Sequence, residues 1–263
     1  MKEELRLALH KNKKLYISIG IMLICFFGFS IPSWIQSADW GEIYRPSALE
    51  QSLGSIFFGS VMLLMPFCAS FPYATSQVDE LRTSYFRWKV MRMGVGRYAW
   101  QKATATMLSG ACAVSIPFLI QLVIWHFIAL PYNPQVYENH KIVFYHTVIW
   151  HNWDEIFFAL PIYLWVFGGI FITSAIWAFF GLATSVWLPD KVLCAVIPVC
   201  IYHLWMGGFT DYILGIKLAS PEALFNDGLT LEKLIQSIIS YSVLLVVSGV
   251  LYWTGLRKRS LYE

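Results

Sequence analysis

Long apolar runs that lack Asp, Glu, Lys and Arg dominate the pattern of hydrophobic and polar positions along this chain. A helix needs roughly 20 apolar residues to cross the hydrocarbon core of a bilayer, which is about 30 Å thick. Six runs of about that length predict six transmembrane helices, at residues 15–34, 53–71, 103–130, 156–187, 192–209 and 234–255. Because the connections are mostly too short for a second domain, residues 1–263 are predicted to form a single all-α, polytopic membrane domain.

Composition agrees with this pattern. Of the 263 residues, 57% are hydrophobic and only 13% are charged. Soluble domains carry roughly 25% charged residues, so this chain has too little polar surface to cover a globule in water. A soluble enzyme is therefore disfavoured.

The placement of charge predicts the orientation of the spans. With both termini in the cytoplasm, 15 of the 19 Lys and Arg residues fall on the cytoplasmic side, while ten of the 16 acidic residues fall outside. Short cytoplasmic loops are enriched in Lys and Arg. We therefore expect cytoplasmic N- and C-termini in a multi-pass protein of the plasma membrane.

The start of the chain combines an amphipathic stretch with an apolar run. Residues 1–14 place Leu5, Ala8 and Leu9 on one face, which predicts an interfacial helix leading into the first span. No small-residue cleavage site follows the apolar run, so it is expected to be a retained span rather than a secretory signal.

Few chemical motifs accompany the spans. An ion-coupled transporter normally holds an ionisable residue within its spans, and none of the six predicted spans has an Asp, Glu, Lys or Arg away from its ends. Signatures of intramembrane enzymes are missing, as is the GxxxxGK[ST] loop that cradles nucleotide phosphates. We expect no enzymatic activity, no metal site and no cofactor in this chain.

One predicted outer loop, residues 131–155, is rich in both histidine and aromatic residues. Its spacing offers only His151 and Glu155 as an i,i+4 pair, which is weak for a metal site. An interfacial helix or ordered cap that uses an aromatic belt is the favoured interpretation.

The longest predicted cytoplasmic connection, residues 73–100, carries the most information. Its middle predicts an amphipathic helix with two stripes, an apolar one of Leu81, Tyr85 and Trp88 and a basic one of Arg82, Lys89 and Arg92. Gly94 and Gly96 are expected to end this helix before the third span. From composition alone, contact with anionic lipid and docking onto a cytoplasmic partner are equally good interpretations.

Three stretches together resemble the membrane subunit of an ABC transporter of the ABC-2 export type. They are Asp79-Glu80 followed by Arg92, Tyr98 and Lys102; residues 181–191, a short turn ending in a Lys; and Ser220-Pro-Glu-Ala-Leu with the closing Gly255-Leu-Arg-Lys-Arg259. The resemblance implies two permease chains, identical or homologous, above two cytoplasmic ATP-binding cassette subunits that bind ATP and Mg. It also implies a coupling helix whose ATPase contacts are Asp79, Glu80, Arg82, Tyr85, Trp88, Lys89 and Arg92.

Other polar or small residues are candidates for helix contacts. Ser55, Gly59 and His203 are expected at the dimer interface or the pathway, and the Gly181/Ser185 pair predicts a close approach of two helices. The leading hypothesis is an ATP-driven exporter that contacts membrane lipid and no nucleic acid. The alternative is an ATPase-independent assembly, immunity or ligand-binding protein that acts through its aromatic outer loop.

Overall fold

The computed structural model describes residues 2–10, 12–38, 48–57, 61–83, 85–128, 159–206 and 231–262. All regular structure within these ranges is helical, which confirms the predicted all-α class. The ten helices are α1 (Lys2–Leu9), α2 (Lys13–Ala38), α3 (Ala48–Phe57), α4 (Val61–Ser70), α5 (Ala74–Arg82), α6 (Tyr85–Met93), α7 (Val95–Ile128), α8 (Ala159–Trp187), α9 (Leu193–Met206) and α10 (Leu231–Tyr262).

Four helices contain stretches that are long and apolar enough to cross a membrane. These stretches match the first, third, fourth and sixth predicted spans, and they are Lys13–Gln36, Val95–Trp125, Leu164–Trp187 and Ile235–Ser260. Large apolar side chains remain exposed along them, such as Ile24, Val123, Ile172 and Val246. An apolar surface of this kind is typical of a helical membrane protein, in which lipid covers it.

The second and fifth predicted spans differ from the other four. Residues 53–71 are divided between α3 and α4, which have ten residues each and flank residues 58–60, outside the described ranges. The fifth predicted span corresponds to α9, which has 14 residues with Pro198 inside it. Each helix is shorter than the roughly 20 residues that a crossing needs, so six spans stay a prediction.

Helix α8 lies at the centre and packs against α4, α5, α7, α9 and α10. Small residues bring it close to its neighbours. A Cβ atom placed on Gly110 of α7 would lie 2.3 Å from Ala178 Cβ and 2.5 Å from the Ala69 carbonyl oxygen. One placed on Gly181 would lie 2.6 Å from Ser70 Cβ. The close approach predicted at Gly181 is confirmed.

Aromatic side chains fill two parts of the core. In the larger one, Trp177 of α8 is fully buried, and its ring centroid lies 5.6 Å from that of Tyr202. The smaller one lies beneath α5 and α6, where Phe86 meets the ring of Tyr98 edge-on at 5.4 Å. This second core packs α6 against α7.

The single amphipathic helix predicted within residues 73–100 is in fact two helices. The chain leaves α5 at Thr83, which has extended backbone angles, so Leu81 belongs to a different helix from the rest of its predicted stripe. Gly94 ends α6 with φ of +80°, a conformation that glycine adopts without strain. Gly96 does not end the helix as expected, because α7 has already begun.

Candidate functional site

Four charged residues from four helices meet at the end of the molecule that carries α1, α5 and α6. We call Glu4, Glu80, Lys89 and Lys102 the charge cluster. Glu80 Oε1 accepts hydrogen bonds from Lys102 Nζ at 2.9 Å and from Lys89 Nζ at 3.1 Å, and Lys89 also pairs with Glu4. None of the four side chains is more than 12% exposed. Two carboxylates and two ammonium groups make the cluster electrically neutral.

Tyrosine hydroxyls satisfy the remaining carboxylate oxygens. The Tyr98 hydroxyl lies 2.6 Å from Glu80 Oε2, and the Tyr73 hydroxyl donates to Glu4 Oε2 at 2.5 Å. Hydrogen bonds to an ionised acceptor are roughly twice as strong as neutral ones. Each of the two carboxylates is therefore contacted by a tyrosine hydroxyl as well as by lysine.

Lys102 is the most deeply buried member, with 1% of its side chain exposed. Besides Glu80, its ammonium donates to Ser76 Oγ at 2.7 Å and lies 4.3 Å from the centroid of the Tyr73 ring. Ser76 and Glu80 are four residues apart on α5, so they lie on the same face of that helix. This spacing directs two acceptors of α5 at one lysine of α7.

The Glu4–Lys89 pair attaches α1 to α6. Burial alone would raise the pKa of Glu4, but attraction by Lys102 and hydrogen bonds from Lys89 and Tyr73 outweigh it and lower that pKa. Burial alone would lower the pKa of Lys89, but its hydrogen bond to Glu4 and the charge of Glu80 raise it. Both shifts favour the charged forms, so the pair is intact across the neutral pH range.

A second, exposed set of contacts joins α5 to the turn between α8 and α9. Arg82 donates two hydrogen bonds to the Pro189 carbonyl oxygen, at 2.8 and 3.1 Å. Asp79 pairs with Lys191 at 2.5 Å. Asp190 accepts from two backbone amides at the start of α9, and these hydrogen bonds lower its pKa. Exposed ion pairs contribute only about 0–1 kcal/mol each, so this contact orients the α8–α9 turn relative to α5 and adds little stability.

Four of the seven predicted coupling residues therefore make ion pairs or hydrogen bonds within the chain. Glu80 and Lys89 point inward to the charge cluster, whereas Asp79 and Arg82 hold the α8–α9 turn. Their predicted contact with an ATPase stays a prediction. What the structure adds is the set of helices that they connect.

The remaining three predicted coupling residues, Tyr85, Trp88 and Arg92, are exposed on α6. Three exposed residues of α6, namely Arg87, Trp88 and Met91, form what we call the α6 outer face. Trp88 is 58% exposed and Met91 76%. The sequence analysis did not predict Arg87 and Met91 as part of this face. It assumed a single helix that began before Thr83 and so assigned the apolar stripe to other positions.

The sequence analysis also missed Glu4, Tyr73 and Lys102 as members of a buried network. Lys102 carried a weak signal, because a lysine at the start of an apolar span either extends to the interface or pairs with an acidic group. Glu4 carried none, since an acidic residue on the polar side of a short amphipathic helix is expected to face water.

Of the three residues predicted for a dimer interface or pathway, the structure describes Ser55 and His203, and their predicted role stays a prediction. Ser55 is buried within this chain, where it donates to the Ser52 carbonyl oxygen at 2.7 Å and accepts from Gln121 Nε2 at 2.8 Å. His203 is exposed on α9. Gly59 and the aromatic loop at residues 131–155 lie outside the described residues.

Among the residues that the structure describes, no group of three or more His, Cys, Asp and Glu side chains could hold a metal ion. The ion pairs and hydrogen bonds of the charge cluster connect α1, α5, α6 and α7. Comparison with known protein families, with characterised proteins and with solved structures finds no match.

Proposed function

We propose that this chain is the permease subunit of an ATP-driven exporter of the ABC-2 type. It forms the translocation path with a second permease chain, identical or homologous, and separate cytoplasmic ATPase subunits bind the ATP and Mg. The observation that carries the proposal is the double character of α6. One side exposes an aromatic and basic surface, and the other joins the charge cluster and through it α1, α5 and α7.

A coupling element needs both of these properties. It has to present a surface to its partner, and it has to move the spans when the partner moves it. The α6 outer face offers Trp88 and Met91, and Trp is among the residues that most often dominate interface energies. Lys89 and Glu80 lead inward from α6 to Lys102 at the start of α7, one of the four candidate spans.

A second route leads to the centre of the bundle. Through Arg82 and Asp79, α5 holds the turn that connects the central helix α8 to α9. Displacement of the α5–α6 pair would therefore act on α7, α8 and α9 together. Packed elements of this kind pass on motion by shifting between discrete arrangements rather than by bending.

Topology and energy source support the same proposal. The excess of Lys and Arg on one side of the predicted spans favours a cytoplasmic position for α5 and α6, where an ATPase could reach them. The 263 residues contain no GxxxxGK[ST] loop, so uphill transport would require a partner that supplies the energy.

The first test is to purify the full chain from the cells that make it, in mild detergent, and to weigh the complex by native mass spectrometry. We expect a soluble subunit that carries GxxxxGK[ST], in equal number to the permease chains. Recovery of the chain alone, with vesicle transport indifferent to ATP, would refute the proposal.

A pair of variants then tests the docking surface. Replacing Trp88 and Met91 with Ala should weaken ATPase binding at least thirtyfold, since loss of one interface hot spot costs about 2 kcal/mol or more. Trp100→Ala is the matched control, because Trp100 is equally large and exposed but lies on α7. Equal recovery of the ATPase with both variants would place the contact elsewhere.

A further inference from the structure

A recess of about 430 Å³ opens beside the charge cluster, between α1, α6 and the beginning of α7. Tyr85 and Trp88 line it from α6, Arg97 lines it from α7, and Glu3 lines it from α1. Arg92 also lines it and lies over the Trp88 ring, 5.2 Å from the ring centroid. The recess therefore combines guanidinium groups with aromatic rings.

The charges around this recess are only partly balanced. Lys89 and Glu4 also line it, but both are neutralised within the charge cluster. Arg92 and Arg97 make no ion pair with any residue in the described ranges. Glu3 is the other acidic group at the recess, so these three residues leave it with one net positive charge. The recess is suited to an anionic ligand.

Its position identifies the source of that ligand. Arg97 lies in the first turn of the candidate membrane stretch Val95–Trp125, and α1 directly precedes the stretch that begins at Lys13. Tyr and Trp rings such as Tyr85 and Trp88 are enriched where lipid headgroups meet water. The recess therefore lies at the level of the headgroups.

We propose that this recess binds the phosphate-bearing headgroup of an anionic phospholipid from the adjoining leaflet. The planar guanidinium groups of Arg92 and Arg97 match phosphate oxygens in a forked geometry, and the aromatic rings cover the glycerol region. The net positive charge selects an anionic headgroup over a zwitterionic one. This inference requires the chain to lie in a membrane, and it does not depend on an ATPase partner.

The test uses the full chain, purified without partners and stripped of native lipid. Native mass spectrometry counts the bound molecules during titration with short-chain phosphatidylglycerol, short-chain phosphatidylcholine or inorganic phosphate. We expect phosphatidylglycerol to bind about tenfold more tightly than phosphatidylcholine, because its net charge is unopposed. Equal binding of the two lipids would overturn the proposal, and so would inorganic phosphate that binds as tightly as phosphatidylglycerol.

Variants then locate the site. Arg92→Gln with Arg97→Gln should weaken phosphatidylglycerol binding by about tenfold, as expected for lost charge-assisted hydrogen bonds. Arg87→Gln with Arg257→Gln is the matched control, because it removes two exposed arginines from α6 and α10 that do not line the recess. Equal losses in the two double variants would overturn the proposal.

A charge-conserving double variant provides a second test in case Arg92→Gln with Arg97→Gln does not fold. Arg92→Lys with Arg97→Lys retains the charge but loses the planar fork, so binding should fall by about threefold while thermal unfolding stays unchanged. Unaltered binding in the Lys pair, together with no preference of the original chain for phosphatidylglycerol, would refute the site.

Discussion

Replacing Glu80 with Gln changes the charge cluster at its centre while preserving the size of the side chain. Glu80 is the acceptor for Lys102, for Lys89 and for the Tyr98 hydroxyl. The amide that replaces it carries no charge, so the neutral cluster acquires one uncompensated positive charge. Lys89 keeps Glu4 as an ion-pair partner, but the almost completely buried Lys102 loses its ion pair and keeps the neutral contacts with Ser76 Oγ and the Tyr73 ring.

The size of the effect follows from this loss of pairing. Removing one partner of a buried ion pair destabilises a protein by about 3–5 kcal/mol. Because Lys89 is still paired, the lower end of this range applies, and we expect Glu80→Gln to cost about 3 kcal/mol, roughly a hundredfold in the unfolding equilibrium.

Equilibrium unfolding in mixed micelles, followed by tryptophan fluorescence, measures this cost. Asp79→Asn is the matched control, since it is the same chemical change one residue away in an ion pair whose side chains are about half exposed. It should cost at most about 1 kcal/mol. Adding Lys102→Met to Glu80→Gln restores neutrality and should return stability to within about 1 kcal/mol of the original chain.

The reasoning would be refuted if Glu80→Gln cost no more than Asp79→Asn. It would also fail if Lys102→Met added its own cost to that of Glu80→Gln, because additive losses mean that the two residues are not coupled.

Three further predictions concern other parts of the chain. The lowered pKa of Glu4 means that its ion pair holds α1 fully above pH 4.5, the ordinary value, and weakens as the pH falls below it. Hydrogen-exchange protection factors of the α1 amides, corrected for the intrinsic exchange rate at each pH, should therefore fall below pH 4.5, and protection that is instead lost between pH 6 and 8 would contradict this. Gly110→Ala should lower stability by about 1–3 kcal/mol in thermal unfolding. Gly168→Ala should leave stability unchanged, because the space around its Cβ position is open, and equal effects of the two variants would contradict the packing described for α7 and α8. Gln121→Leu should cost about 1 kcal/mol and couple to Ser55→Ala in a double-mutant cycle, and strict additivity would exclude the hydrogen bond between them.

The apolar pattern predicted the helical class and four of the helices well. Long apolar runs without charges, such as those in α2 and α8, are typical of membrane-spanning helices and of few other structures. The pattern was less informative for α3, α4 and α9. Apolar residues specify burial in lipid or in protein equally well, so an apolar run alone does not set the length of the helix that forms.

The candidate site could be predicted only in part. Asp79 and Glu80 were predicted from the family resemblance and Lys89 from the basic stripe. The directions in which these side chains point depend on the break at Thr83, which no Gly or Pro marks. The pairing of Glu4 with Lys89 joins residues 85 positions apart. Contacts between residues so far apart in the sequence depend on how the helices pack together, and the local pattern of apolar and polar residues does not determine that packing.

The spacing of the charge cluster along the chain bears on how the protein enters the membrane during synthesis. Glu80 and Lys102 are 22 residues apart, whereas Glu4 and Lys89 are 85 apart. Closing the longer loop costs about 1 kcal/mol more in chain entropy. The inner pair can therefore form while α7 is leaving the ribosome, so that α7 partitions into lipid with its lysine already neutralised. A bare lysine would oppose that step by up to about 3 kcal/mol. Helix α1, although made first, gains its ion-pair partner Lys89 only after α6 has been made.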